Sequence, residues 1–200
     1  MGCRWNSARP GATRLQTALA GLLAVELPQG VRLLELGMNR DVRGNLSEVF
    51  RDEWDCGVEP VQWNVAESRR GSLRGLHVHA MHDDFVVLAS GRIAMGLYDL
   101  RRGAATFARS ALVELDSENM HGLVIPRGVG HGSLHLEPTV MLVGVSEYWG
   151  DPMDEIGCRW DDPALGIDWP LEPSFVSERD ATAPSLDGLF EQLEPWQPFV

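Results

Sequence analysis

Imidazole is the chemistry this chain concentrates: of its six histidines, His77, His79, His82 and His131 are four, and the first three fall within six positions. An imidazole titrates near neutrality and carries a nitrogen lone pair, so such a cluster suits proton transfer or metal ligation. Residues two apart on a strand share a face, and His77 and His79 are expected to project to the same side. With acidic Asp84 close by, the group reads as functional, not as scattered core histidine. His82 and His135 carry no assigned role and are expected to be surface or core residues.

Reactive groups along a strand need a sheet to enclose them, and the surrounding sequence supplies strands. From Val31 to Gly166 short apolar runs are punctuated by Gly, Pro, Asn and Asp, with little helical periodicity, the pattern of an all-β sandwich or barrel. Strands are expected over Val31–Leu36, Val58–Val65, Ser72–His79, Phe85–Leu88, Arg92–Asp99, Phe107–Leu115, Gly122–Ile125, Ser133–Leu136 and Thr139–Glu147. Ser90-Gly91, Arg102-Gly103, Pro126-Arg127-Gly128 and Glu137-Pro138 mark the reversals between them. That number of short strands can close a jelly roll. After Gly150 the chain turns rich in Pro, Asp and Trp, with a short helix expected over Ser185–Leu193. The expected organisation is one domain: an N-terminal arm or helix over 1–26, a barrel over 27–150 and a covering segment over 151–200.

Composition narrows the function classes. The 200 residues carry a formal charge of -12, which argues against a nucleic-acid partner, since phosphate-backbone affinity rests on clustered cations. Cys3, Cys56 and Cys158 are far apart and odd in number, a usage that fits reduced thiols in a cytoplasm. The apolar run Ala18–Val25 follows Arg4, Arg9 and Arg14 as in a leader peptide, but it is short and Glu26 interrupts it. No stretch reaches the length of a membrane span, so no membrane partner is expected.

Two motifs carry a resemblance. Gly71 through His77, His79 and Asp84 to Gly91 resembles the first cupin motif, and Pro126-x-Gly128-x-x-His131 resembles the second. This implies a cupin, a double-stranded β-helix or jelly-roll barrel with short N-terminal and C-terminal helical or irregular segments. It also implies one set of metal ligands, His77, His79, Asp84 and His131, suited to one divalent ion. Some cupins bind no metal, and that alternative stays open.

A more specific resemblance runs from about Leu27 to Leu189. Arg43-Gly44 with Glu48, Gln62-x-Asn64, Leu73-Arg74-Gly75-Leu76-His77, Asp99-Leu100-Arg101-Arg102-Gly103, Ile125-Pro126-x-Gly128-x-x-His131-Gly132, Arg159-Trp160-x-Asp162-Pro163-Ala164-Leu165-Gly166 and Ser177-Glu178-x-Asp180 stand in one order. Together they resemble the dTDP-4-dehydrorhamnose 3,5-epimerases. The resemblance implies a cofactor-free isomerase that acts on a nucleotide-linked 4-keto sugar in deoxysugar and polysaccharide biosynthesis, and that works as a homodimer. It implies that His77 is the base and Asp180 its orienting acid. It implies that Arg43 and Arg74 hold the diphosphate, that Glu48, Gln62, Asn64 and His131 line the pocket, and that Trp149 stacks on the base.

The family's lysine aligns with Asp84 or its neighbours and its tyrosine near Val143, so both groups are replaced here. Three outcomes are expected to compete: an epimerase of altered scope, a ketoisomerase, or an enzyme whose metal replaces the lysine. A cupin that binds a sugar nucleotide without catalysis is the remaining alternative.

Overall fold

Two antiparallel sheets face each other in the computed structural model, which describes residues 26–148, 154 and 156–194. The first sheet runs β1 (Arg32–Glu35), β9 (His121–Ile125), β6 (Asp84–Ser90), β11 (Thr139–Val145), β4 (Gln62–Ser68). The second runs β12 (Ile156–Gly157), β5 (Ser72–Val78), β10 (Val129–His135), β7 (Arg92–Asp99), β8 (Ser110–Asp116). A short β13 (Phe175–Val176) adds to β5 in parallel, and β2 (Met38–Asp41) with β3 (Gly44–Ser47) forms a separate hairpin. The N-terminal arm expected over 1–26, together with Cys3, lies almost wholly outside the described residues.

The period of two explains how each sheet is buried. On β7, Ile93, Met95 and Leu97 point between the sheets and join Val86, Leu88, Val113, Leu123 and Ile125 in the main core. Alternate residues Ala94 and Tyr98 point outward, yet they too are buried. The C-terminal segment covers them: Trp169 lies where a Cβ on Gly96 would stand, and α2 (Leu186–Leu193) sets Leu186, Leu189 and Leu193 against Leu76, Val78 and Tyr98. Ser185 caps α2, its hydroxyl accepting from the Gly188 amide. Each leucine so buried contributes roughly 2 kcal/mol. On the opposite flank, residues 49–58 cover the first sheet through Phe50, Trp54, Cys56 and Val58 against Phe85, Val87 and Val124.

Several boundaries differ from expectation, β10 among them, which starts at Val129 and not Ser133. β4 starts at Gln62, not Val58, because Pro60 has no amide for the ladder and pairing resumes at Val61, which bonds to the Val145 carbonyl. β8 starts at Ser110, not Phe107, because the chain turns through Ala108 at φ 60° and closes bonds from Phe107 to Ala104 and from Ala108 to Asp99. The β2–β3 hairpin was not expected at all: its exposed residues carry no apolar alternation to signal it.

Candidate active site

The centre of β5 is irregular, and the irregularity builds the site. Leu73 packs outward against Ala94 and Leu134, while Leu76 and Val78 pack outward against α2. Outward residues at 73 and 76 mean that one extra residue has been inserted. Its signature is in the pairing with β10, where His131 faces His77 but Ser133 faces Arg74. Gly75 sits in the bulge at φ +119°, where a Cβ would come within 2.5 Å of the Gly132 Cα. Arg74 and His77, three apart in sequence, consequently project to the side opposite Leu73, Leu76 and Val78.

The outer edge of β5 is paired by β13 at Ser72 and Leu73 and by β12 at His77 and Val78. Asp180 enters the gap between them. Its Oδ1 lies 2.7 Å from His77 Nε2, and its Oδ2 accepts from the Gly75 amide at 3.2 Å. Asp180 stands in the first turn of α1 (Glu178–Ala181), where the Ser177 hydroxyl caps its own amide at 3.1 Å. The side chain is 4% exposed. Burial alone would raise its pKa; the hydrogen bond and charge of His77, the Gly75 amide and the Arg179 guanidinium outweigh it and hold the carboxyl at about 2. Asp180 is thus a carboxylate at neutral pH. It fixes Nε2 of His77, while Nδ1 lies 3.5 Å from a terminal nitrogen of Arg179.

Arg179 belongs to this group although no reading of the sequence singled it out. One of its terminal nitrogens lies 2.8 Å from His77 Nε2, and its Nε lies 3.3 Å from Asp180. Its place beside Asp180 in Ser-Glu-Arg-Asp was the available signal.

Other expected substrate contacts separate into two sets. Gln62 and Asn64 are on the half-buried face of β4, with the Gln62 amide donating to the Asn64 carbonyl oxygen at 3.0 Å. Arg74 reaches across to that strand, bonding Ser68 Oγ at 3.0 Å and the Glu67 carbonyl at 3.2 Å. Val143 pairs with Asn64 across the two strands, so both side chains share a face. Arg43 and Glu48 are elsewhere: Arg43 is 86% exposed in the β2–β3 turn and bound to Asp41, and Glu48 pairs with Arg51. The hairpin that carries Arg43 pairs with neither main sheet, and among the described residues no contact joins Arg43 or Glu48 to His77. Trp149 lies outside the described residues. Of the two tyrosines, Tyr98 is buried on the outer face under α2, and Tyr148 is 80% exposed.

Beside His77 stands a second cluster, which overlaps the expected metal ligands in part. Candidate ligand atoms of His79, His82 and Asp84 lie within 4.8 Å of one another, and neither His77, held by Asp180, nor His131 is among them. His82, expected to have no role, is. The Nε2 atoms of His79 and His131 are 3.8 and 3.6 Å from Asp84 Oδ2, and that of His82 is 3.6 Å from Oδ1. Asp154, also unforeseen, organises the group: its carboxylate accepts from His82 Nδ1 at 2.6 Å and from the amides of Ala80 and Met81, and its carbonyl accepts from His79 Nδ1 at 2.9 Å.

Burial, reinforced by Asp83 and Asp154, pushes the Asp84 carboxyl up to about 7 although His79 opposes it. Burial likewise lowers His82, and with the charges of His79 and His77 it holds His131 well below the usual range. His135 is a core residue, bonded to Thr139 Oγ1 at 2.7 Å and lowered to about 4 by burial and by Arg74.

Comparison with known proteins identifies a family. The profile of one family, described as dTDP-4-dehydrorhamnose 3,5-epimerase, matches residues 26–188. The dTDP-4-dehydrorhamnose 3,5-epimerase of Sinorhizobium fredii is 34% identical over 188 residues, covering 88% of this chain and 93% of its own. The crystal structure of a 3'-monoepimerase from Streptomyces bikiniensis in complex with dTDP-quinovose superposes with a TM-score of 0.73 at 30% identity, covering 86% of this chain and 88% of that one. The 3,5-epimerase of Legionella pneumophila in complex with dTDP-4-keto-L-rhamnose gives a TM-score of 0.73 at 30% identity, covering 82% and 92%. The jelly-roll barrel is shared with both solved structures.

Proposed function

The chain belongs to the dTDP-4-dehydrorhamnose 3,5-epimerase family, and from that premise we propose that it is a nucleotide-sugar epimerase acting on a dTDP-4-keto-6-deoxyhexose. The observation that carries the reading is the His77–Asp180 pair, 2.7 Å apart, with His77 still 22% exposed. A carbonyl acidifies the adjacent C–H. The imidazole nitrogen that Asp180 does not hold takes that proton, and the electron pair moves into the enolate. Return of a proton to the carbon completes the cycle with no change of oxidation state, so no redox cofactor is needed.

Inversion requires removal from one face and delivery to the other. Val143 offers no proton where its neighbour Asn64 faces the cavity, which supports an enzyme of restricted scope, inverting one centre or isomerising, over full 3,5-epimerisation. Arg74 suits the diphosphate because a guanidinium fork matches phosphate oxygens. The protein works as a homodimer in the cytoplasm, with the exposed β2–β3 hairpin bringing Arg43 and Glu48 to the partner's pocket and Trp149 stacking on the thymine. Exposed Val42 and Leu46 on the hairpin, and Val61, Trp63 and Val65 along the outward side of edge strand β4, favour such an assembly.

Incubation with dTDP-4-keto-6-deoxyglucose in deuterated water tests the reading. Deuterium is expected at one carbon beside the keto group, and none with His77→Ala. Exchange at neither carbon, or exchange that survives His77→Ala, refutes it.

A further inference from the structure

Each histidine of the second cluster has its Nδ1 directed at an acceptor that cannot donate. His79 faces the Asp154 carbonyl at 2.9 Å, His131 the Val129 carbonyl at 3.3 Å, and His82 the Asp154 carboxylate at 2.6 Å. Nδ1 therefore carries the proton in all three, and each Nε2 turns a lone pair toward Asp84. Three lone pairs around a buried carboxylate repel it. Separations of 3.6 to 3.8 Å exceed hydrogen-bonding distance, and among the described residues none donates a hydrogen bond to the Asp84 side chain. For His79 and His131, both measured to Oδ2, the spacing is close to the ~3.4 Å edge of a ligand tetrahedron around an ion with bonds of about 2.1 Å, while His82 meets the other carboxylate oxygen. Imidazoles whose second nitrogen is fixed by a carbonyl or carboxylate are the usual arrangement behind a protein-bound metal.

We propose that His79, His82 and His131, through Nε2, and Asp84, through its carboxylate, bind one divalent transition-metal ion. Three imidazoles and one carboxylate favour zinc, iron, nickel or cobalt over magnesium or calcium. His77 is not a ligand and stays available as a base.

The ion has a use in the proposed reaction, and this part rests on that reading. All 17 basic residues are arginine; the chain contains no lysine to meet the negative oxygen of an enolate. His131 pairs with His77 across β5 and β10, so the ion lies next to the base. As His77 takes the proton, the C–H electron pair becomes the new C=C bond and the carbonyl π pair passes to the oxygen, where the ion balances its charge. Reprotonation reverses these shifts.

The test separates binding from turnover. Chelator-treated protein is titrated with Zn2+ by calorimetry and with Co2+ by visible absorption, alongside His82→Gln, Asp84→Asn and His77→Asn. One ion per chain and a cobalt ligand-field band are expected for the wild type, with affinity at least about 100-fold weaker in His82→Gln and Asp84→Asn and within about threefold in His77→Asn. Should those two variants fail to fold, Asp154→Asn, which frees His82 Nδ1, is expected to weaken binding about tenfold.

Absence of stoichiometric binding to the wild type, or binding that depends on His77 and not on His82, overturns the site. In the deuterium assay, chelation is expected to slow exchange at least about tenfold and Zn2+ to restore it. Binding without any effect on exchange overturns the ion's role as electrophile. Binding with no exchange under any condition refutes the epimerase reading and leaves the site standing.

Discussion

The Gly75 amide and the His77 imidazole share one carboxylate: Asp180 Oδ2 accepts from the first at 3.2 Å while Oδ1 lies 2.7 Å from the second. The bulge that turns His77 inward is therefore also the donor that steadies the imidazole's partner.

Gly75→Ala should damage both functions of the bulge. Its φ of +119° disfavours any side chain, and the new methyl would meet the Gly132 backbone. A loss of stability of about 2 kcal/mol or more is expected, read as a lower denaturation midpoint. Exchange in the fraction that remains folded should fall as well.

Asp180→Asn keeps the shape and removes the charge. Deuterium exchange is expected to drop by about 100-fold or more with little change in thymidine diphosphate affinity. The Asp180 pKa is lowered from 3.8 to about 2, so its stabilising contribution is complete above about pH 4 and is lost as pH falls toward 2. Rate profiles between pH 5 and 8 should consequently show no step from this group. A step there that disappears in Asp180→Asn contradicts the assignment.

Val143→Tyr places a phenol on the face shared with Asn64. If the missing acid limits the reaction, the variant should gain product inverted at a second centre, visible by proton nuclear magnetic resonance. An unchanged product ratio in a folded variant argues that another group already delivers the proton.

His135 makes stability depend on acid. Its folded pKa of about 4 is below the ordinary 6.5, so the neutral form is favoured in the fold. Stability is fully present above about pH 6.5 and declines as pH falls through 4, by about 2 kcal/mol at pH 5. Thermal melts of the wild type and His135→Gln at pH 7 and 5 should show the variant less sensitive to the change.

Much of the barrel was legible because strands buried on one face alternate: Ile93, Met95 and Leu97 announce β7, and Ser185 with spaced leucines announces α2. What lacked a local signal was missed. The β2–β3 hairpin is polar and exposed, and the bulge at Gly75 breaks the period of two on which strand reading depends. The cupin-motif resemblance grouped His77, His79, Asp84 and His131 as ligands and gave no role to His82, which loops back after β5 and stacks on His79 at 4.0 Å. Asp154 and Arg179 are acid and base among many, and only packing distinguishes them. Resemblance alone linked His77 to Asp180, which are 103 positions apart.

The gap in the edge of β5 has one more consequence. The carboxylate that readies the imidazole comes from a tail that docks at the edge of β5, outside the ladders that join the strands of residues 32–145. Chain closure and chemical competence are separable, and recovery of isotope exchange after denaturation should report seating of the tail, lagging behind the fluorescence change that marks barrel assembly.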